Sequence, residues 1–271
     1  MPTGSSKDLR GVLNPGAEGQ RFQLTRLDPS PRFAKVVERY WSVRWALPAG
    51  DSYLSETLPF PSVNLVFEAD RARINGIYTR RFARTLRGAG SVFGVRFRPG
   101  AFAPFFPSPI HELTDRVLPF TRVFGPEARS LERALPALPD DAARARAFEA
   151  FLLPRLPAPD RERERVAEIV DQAFRQPSLT RVEALARAVR LPTRTLQRLF
   201  RRYLGVSPKW LLCRARIQEA AQRVAAGERV DWAALATDLG YFDQAHLASD
   251  FKAQLGKTPR QYAALARAAA R

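Results

Sequence analysis

One cysteine and two histidines are all that the 271 residues offer. A lone Cys213 excludes an internal disulfide framework and any multi-cysteine zinc site. It reads as a small core-facing residue, not a redox switch. Up to residue 160, His111 is the single histidine and there is no cysteine. A metal catalyst needs several converging ligands and a thiol enzyme needs a nucleophile, so neither is expected there. The chain reads as a non-enzyme without cofactor or metal. No stretch approaches the length of a membrane span, and the opening MPTGSSKDLRGVLNPG has no apolar core of a secretory leader, so a cytoplasmic location without a membrane partner is expected. Acidic side chains are also in deficit, 27 against 44 basic ones, for a net charge of +17 and a pI near 11.1. Such an excess suggests an anionic partner, nucleic acid first and a membrane surface second. It is spread along the chain, with 23 basic and 15 acidic residues in 1–159 and 21 and 12 in 160–271. Charge alone does not separate DNA binding from a generally arginine-rich composition.

What is present is a normal apolar fraction, 45%, with 18 Phe and 4 Trp, enough to fill two domains. Residues 1–20, rich in Gly, Ser and Pro, read as a flexible tail. From 22 to 98 the apolar period is two. Trp41, Val43, Trp45 and Leu47 alternate with Tyr40, Ser42, Arg44 and Ala46; Val63, Leu65 and Phe67 form a second run; Phe93, Val95 and Phe97 a third. A short helix is expected near 31–39, started by Ser30 and Pro31. Residues 21–120 are thus expected to form a small β-barrel or sandwich, with Trp41, Trp45, Phe67 and Phe93 inside. Helices at 126–135 and 140–153 lead through 121–160 to the Pro-rich PRLPAPD at 154–160. Everything after it reads as all-α, giving an α+β chain overall. The helix at 161–175 turns Val166, Ile169, Val170, Ala173 and Phe174 to one side.

The helical part contains a repeat. LTRVEALARAVRLPTRTLQRLFRRYLGVSP (179–208) lies over VDWAALATDLGYFDQAHLASDFKAQLGKTP (230–259). Leu196, Phe200, Leu204, Gly205 and Pro208 fall on Leu247, Phe251, Leu255, Gly256 and Pro259 at an offset of 51, and Leu185-Ala186 falls on Leu235-Ala236 at an offset of 50. The second unit therefore holds one extra residue in its turn. Each unit reads as two helices and a tight turn, about 182–203 and 232–254. Thr180 with Glu183 is expected to form a capping box and Asp231 to cap the second unit. Gly240 suits a turn needing positive φ. Leu185, Val189, Leu196, Leu199 and Phe200 lock the first pair, leaving Arg194, Gln197, Arg198, Arg201 and Arg202 outside. After Ser207-Pro208 a linker helix lines Cys213, Ile217, Ala220, Ala221 and Val224 on one face. Trp210 and Trp232 read as packing residues.

Residues 165–265 resemble the DNA-binding domain of the AraC/XylS family of transcription regulators, on the stretches LARAVRLPTRTLQRLFRRYLGVSPKWLLCRARIQEA and ALATDLGYFDQAHLASDFKAQLGKTPRQY. The resemblance implies that the second helix of each unit enters the major groove, in successive turns on one face of the duplex. Residues early in such a helix meet base edges and later basic ones meet phosphate. Arg194, Gln197 and Arg198 are then the base readers of unit one, since Arg pairs with guanine and Gln with adenine. Gln244, Ala245, Ala248 and Ser249 hold the matching positions of unit two. Thr193, Arg201, Arg202, His246 and Lys252 are candidate phosphate contacts. Without the repeat, Arg201 and Arg202 would read as an ordinary solvated face. Ala245, Leu247 and Ser249 replace the family's usual Ser, aromatic and basic residue, and Asp250 adds an acid, so unit two reads as an anchor with little sequence reading. Arg190 stands where the family has a turn Gly, and Pro192 where it has a cap Ser, with Thr193 as substitute cap.

PSVNLVFE (61–68), VFGVRFRPGAFAPFF (92–106) and ELTDRVLP (112–119) resemble an N-terminal domain found in AraC-type regulators of actinobacteria. The resemblance implies a small cupin-like β-barrel with a sensor or dimerisation role. Arg96 and Arg98, with Arg80, Arg81 and Arg84, are candidates for an anion pocket, though strand alternation turns Arg96 and Arg98 away from the Phe93 face toward solvent. A methyltransferase fused to such a DNA-binding domain would need a cysteine in the first domain, which is absent. The expected function is a DNA-binding regulator, ligand-controlled or merely dimeric; its partners are double-stranded DNA, with RNA polymerase, a small-molecule effector and a second copy of the chain as further candidates.

Overall fold

The computed structural model describes residues 19–225 and 230–269. The tail expected at 1–20 falls almost wholly outside them, while residues 266–269 continue the last helix. Eight strands come first: β1 (Gln23–Leu27), β2 (Val37–Ala46), β3 (Ser52–Thr57), β4 (Asn64–Phe67), β5 (Ala72–Asn75), β6 (Phe82–Arg87), β7 (Ala89–Phe97) and β8 (Val117–Pro119). Six form an antiparallel sheet in the order β1-β2-β7-β4-β5-β8, and β3 pairs with β6 in a separate ribbon. The sheet is open, with β1 and β8 as edges, so the β-rich domain forms without closure into a barrel.

Register explains the core. Tyr40, Val95, Leu65 and Ile74 stand opposite one another across four strands, and none is accessible to solvent. The apolar face is covered by α1 (Phe120–Phe124), α2 (Ala128–Ala134) and α3 (Asp141–Leu152). The rings of Phe120 and Phe148 sit edge-on to Phe67 at 5.3 and 6.2 Å. On the opposite face, Phe22, Leu47 and Leu86 make a smaller cluster beneath the ribbon, with Val43, Trp45 and Tyr53 packed against it.

Three expectations need correction. No helix spans 31–39. A single turn closed by the Val37 N–H on the Phe33 carbonyl at 2.8 Å runs straight into β2. Nor do Trp41 and Trp45 face the main core: Tyr40 and Ser42 do, at 0% and 1% exposure. The buried Ser42 hydroxyl is satisfied by donating to Asp141 at 2.6 Å. The indoles instead lie over Gly94 and Gly90 across the ladder, where a Cβ would come within 2.0 and 2.4 Å of them. Arg96 and Arg98 do leave the Phe93 face, but they line a cleft and not a plain solvated surface.

The second half is helical: α4 (Arg161–Arg175), α5 (Val182–Ala188), α6 (Thr193–Leu199), α7 (Pro208–Ala225), α8 (Trp232–Asp238), α9 (Gln244–Leu255) and α10 (Pro259–Ala269). Asp160 starts α4 by accepting from the N–H groups of Glu162 and Arg163, and Val166, Ile169, Val170 and Ala173 are buried as their spacing predicts. The Pro-rich stretch before α4 does not interrupt packing. One cluster of buried residues runs from Phe33 on the sheet side to Leu212 in α7, including Ile110, Leu113, Phe200 and Leu204. Thr114 donates to the Gly205 carbonyl at 2.7 Å, and Trp210 donates to the Thr79 carbonyl at 3.1 Å. Because sheet and first helix pair share this core, Phe200→Ala is expected to lose about 3–5 kcal/mol. Urea unfolding followed by far-UV circular dichroism and by tryptophan fluorescence should remain coincident. Two separated transitions would show that the halves are independent.

Candidate nucleic-acid interface

The first helix pair is built as its pattern requires. Leu185, Leu196, Leu199, Phe200 and Leu204 are at most 2% exposed. With that stripe turned inward, Arg194, Gln197, Arg198, Arg201 and Arg202 come out exposed on the other side of α6 and the turn that follows it. That turn, Phe200–Leu204, widens to π-helical hydrogen bonding and ends at Gly205 with φ +80°. A Cβ there would approach the Ile110 carbonyl oxygen to 2.8 Å, so glycine serves both the left-handed cap and the close approach.

The turn between α5 and α6 departs from expectation in its capping. Arg181, not Thr180, is the N-cap of α5, and no side chain caps it. Pro192 is the N-cap of α6, which puts Thr193 in the first turn and removes it as a cap. Arg190 takes φ +52°, the left-handed conformation that a glycine would occupy without strain. Arg165 steadies this turn by donating to the Val189 carbonyl at 2.8 Å.

Arginines of α6 and of the turn that follows it are already engaged. Arg198 meets Glu162 at 3.0 Å and Arg202 meets the other oxygen of the same carboxylate at 3.6 Å. Arg201 lies 3.0 Å from His111 Nε2 on the sheet side. Behind them, the Tyr203 hydroxyl donates to Asp160 at 2.9 Å. Burial opposes ionisation of Asp160, but the Arg163 N–H, the Tyr203 hydroxyl and the Glu162 N–H outweigh it and hold its carboxyl below the usual range. The Arg–Glu162 pairs are half exposed, and such pairs contribute about 0–1 kcal/mol, so a phosphate can displace Glu162.

The second pair repeats the design with better caps. Asp231 accepts from the N–H groups of Ala233 and Ala234, and Asp243 accepts from the His246 N–H. Gly240 has φ +68°, and a Cβ on it would strike the Thr180 methyl at 2.2 Å. Leu247, Phe251 and Leu255 are fully buried. Gln244, Ala245, His246, Ser249 and Lys252 are exposed, while Ala248 is half-buried. Asp250 does not join the exposed face: it accepts from the Cys213 thiol at 3.3 Å. Burial and the Asp250 charge push that thiol up to about 11, so Cys213 stays protonated at neutral pH. Phe242 was not singled out by periodicity, yet it is 93% exposed, directly before the helix that carries Gln244. An aromatic at a turn, off every apolar stripe, was the only signal. The far end of α9 is tied back to the ribbon, where Glu56 pairs with both Arg81 and Lys257.

The sequence profile of the family described as a helix-turn-helix domain matches residues 185–264, the two helix pairs just described. Residues 185–264 form a helix-turn-helix domain. A helix-turn-helix domain is a DNA-binding unit, which supports DNA binding by this half of the chain. Residues 25–119 match a domain of unknown function (DUF6597). No curated protein matches the chain. Among solved structures, a transcriptional regulator with an AraC-type DNA-binding domain from Chromobacterium violaceum is 21% identical, over 36% of this chain and 92% of its own, at a TM-score of 0.33. ToxT from Vibrio cholerae O395 is 12% identical over 91% of this chain and 98% of its own, at 0.43. An unsaturated fatty acid-bound ToxT from Vibrio cholerae strain SCE256 is 12% identical over 92% and 96%, at 0.37. At these scores the likeness is loose and fixes neither effector nor mechanism.

Two outcomes test the helix-turn-helix domain's local physics. Arg190→Gly should raise the unfolding midpoint by about 0.5–1 kcal/mol of stability; an unchanged or lower midpoint would mean that the turn is unstrained. Glu162→Gln should strengthen binding to a random duplex at low salt by about two- to fivefold, read by fluorescence anisotropy, as expected for an exposed competing carboxylate. Unaltered affinity would show that Glu162 does not compete with DNA.

Proposed function

We propose that the protein is a sequence-specific transcription regulator that reads a promoter half-site through α6 and anchors on the next turn of the duplex through α9. The observation that carries this reading is the division of α6. Its apolar stripe is buried to 2% exposure or less, and the opposite side presents Arg194, Gln197, Arg198, Arg201 and Arg202 to solvent. Arg194, Gln197 and Arg198 are assigned the base edges, since Arg can bond guanine and Gln adenine bidentately. Arg201, Arg202 and Thr193 are assigned to phosphate, as are His246 and Lys252 on α9. In α9 the exposed Gln244, Ala245 and Ser249 offer less hydrogen-bonding capacity to base edges, and Ala248 is in part withdrawn. The second unit then contributes affinity and spacing more than sequence choice.

Control is assigned to the N-terminal half, by a small molecule or a protein. The apolar face of its sheet offers an effector little room, because Phe67, Phe120, Phe124, Phe148 and Phe151 pack ring against ring there at 5.0–6.4 Å. An effector is therefore sought outside that face. RNA polymerase and a second copy of the chain complete the partners of this reading, which requires no catalysis and places the protein where the chromosome is.

The DNA assignment is checked on the native promoter over a salt series. Arg198→Ala should cost about 1–3 kcal/mol and relax sequence preference. Lys252→Ala should weaken all sequences alike and lower the salt slope by about one. Wild-type binding by both variants would sink the assignment.

A further inference from the structure

A cleft of about 390 Å³ opens between the outer side of the sheet and helices α4 and α7. Its floor is Arg214 of α7, 1% exposed and among the largest fully buried side chains of the protein. Its Nε donates to the Pro59 carbonyl at 2.6 Å and Nη2 reaches Gln218 at 3.4 Å, but Nη1 is buried without a partner. Among the described residues no carboxylate pairs with it: its electrostatic neighbours include Cys213, Tyr262 and another cation, Arg96. Burial, helped by Arg96, pulls the guanidinium down to about 9, still charged at neutral pH.

A buried guanidinium with neither counter-charge nor full hydrogen bonding is costly, and the usual remedy is a paired anion. Two carboxylates, Glu38 and Asp171, line the cleft against five arginines, Arg39, Arg96, Arg98, Arg175 and Arg214, and neither pairs with Arg214. Glu38 on its wall is shared by Arg39 at 2.9 Å and Arg96 at 4.0 Å. Asp171 lies at the exposed mouth beside Arg175, and Arg98 adds a further cation on the sheet side. One part of the wall is apolar, Leu58 and Phe60 stacked on Phe174 with ring centroids 5.0 Å apart, while Gln218 and Gln222 line the α7 side. Cation at the floor and aromatic rings at the side define an amphiphilic guest, and the volume lies within the range of small-molecule sites.

We propose that this cleft binds a small organic anion, its carboxylate paired with Arg214 and its apolar body against Leu58, Phe60 and Phe174. Such a guest would touch the sheet, the helix leading into the first unit and the helix joining the two units. This deepens the regulator reading by naming the effector class and its seat, and its regulatory meaning rests on that reading. The test is made on the full chain without DNA, so failure here leaves the DNA assignment standing, and the reverse.

The probes are 3-phenylpropanoate, the neutral 3-phenylpropan-1-ol and inorganic phosphate, titrated calorimetrically. The carboxylate should bind about tenfold or more tighter than the alcohol, as a charge-assisted pair implies. Arg214→Met should reduce that ratio to about one. Should this variant fail to fold, Arg175→Glu at the exposed mouth decides. It should weaken the carboxylate several-fold and spare the alcohol. Equal binding of acid and alcohol by the wild type overturns the proposal. So does a folded Arg214→Met that keeps the preference, or an Arg175→Glu indifferent to charge where that variant decides. Phosphate displacing the carboxylate at equal concentration would also overturn it, since the apolar wall would then play no part.

Discussion

Burial of Phe200, Tyr203 and Leu204 against the turn at Ile110–Leu113 joins the DNA-facing pair to the sheet without an intervening gap. Much of the rest of the architecture depends on that contact. It lets Gly205 pass within hydrogen-bonding reach of Thr114, and it places His111 beside Arg201. It also brings α4 and α7 down onto the sheet's outer side, where they enclose the cleft. Interiors are close-packed and shift between discrete arrangements instead of deforming smoothly. On the proposed reading, a guest seated where the sheet meets these helices would act on α6 through this shared core.

Electrostatics in this region follow the same geometry. Glu162 holds Arg198 and Arg202 on the DNA-facing side, and Glu56 holds Arg81 and Lys257 on the opposite side of the helical half. One carboxylate is partly exposed and displaceable; the other is buried, with its side chain 7% exposed, and fixes the end of the second unit to the ribbon. The first unit can exchange its partners for phosphate at little cost, whereas the second is moored.

The helical half was legible because its signal is doubled. Leu196 and Leu247, Phe200 and Phe251, Leu204 and Leu255 occupy matched positions and are all buried; 3.6-residue periodicity survives whatever the helices pack against. Cap chemistry was less legible. Asp231 caps as expected, but Thr180 spends its methyl against Gly240 and Arg181 becomes the cap of α5. In the sheet, the facing of β2 was read from apolarity, which favoured Trp41, Val43 and Trp45. Glycines on β7 provide a shelf for the indoles, and Asp141 on a helix 99 residues away satisfies Ser42 inside. Neither can be seen in one strand's own pattern. The outward residues of α6 were readable, but not their pairing with Glu162, nor the exposure of Phe242, nor the role of Arg214, whose significance is the absence of a partner in three dimensions.

Contact between Thr180 and Gly240 joins the approach to the first unit with the turn of the second. On the proposed reading, two grips held at a fixed separation would act as a ruler laid along the duplex. The distance between their subsites is then a property of the protein, not of a flexible tether. One inserted base pair rotates the second subsite by about 35° about the helix axis, out of phase with the ruler. Such a protein meets a mis-spaced promoter with one hand only, and spacing becomes part of the sequence that it recognises.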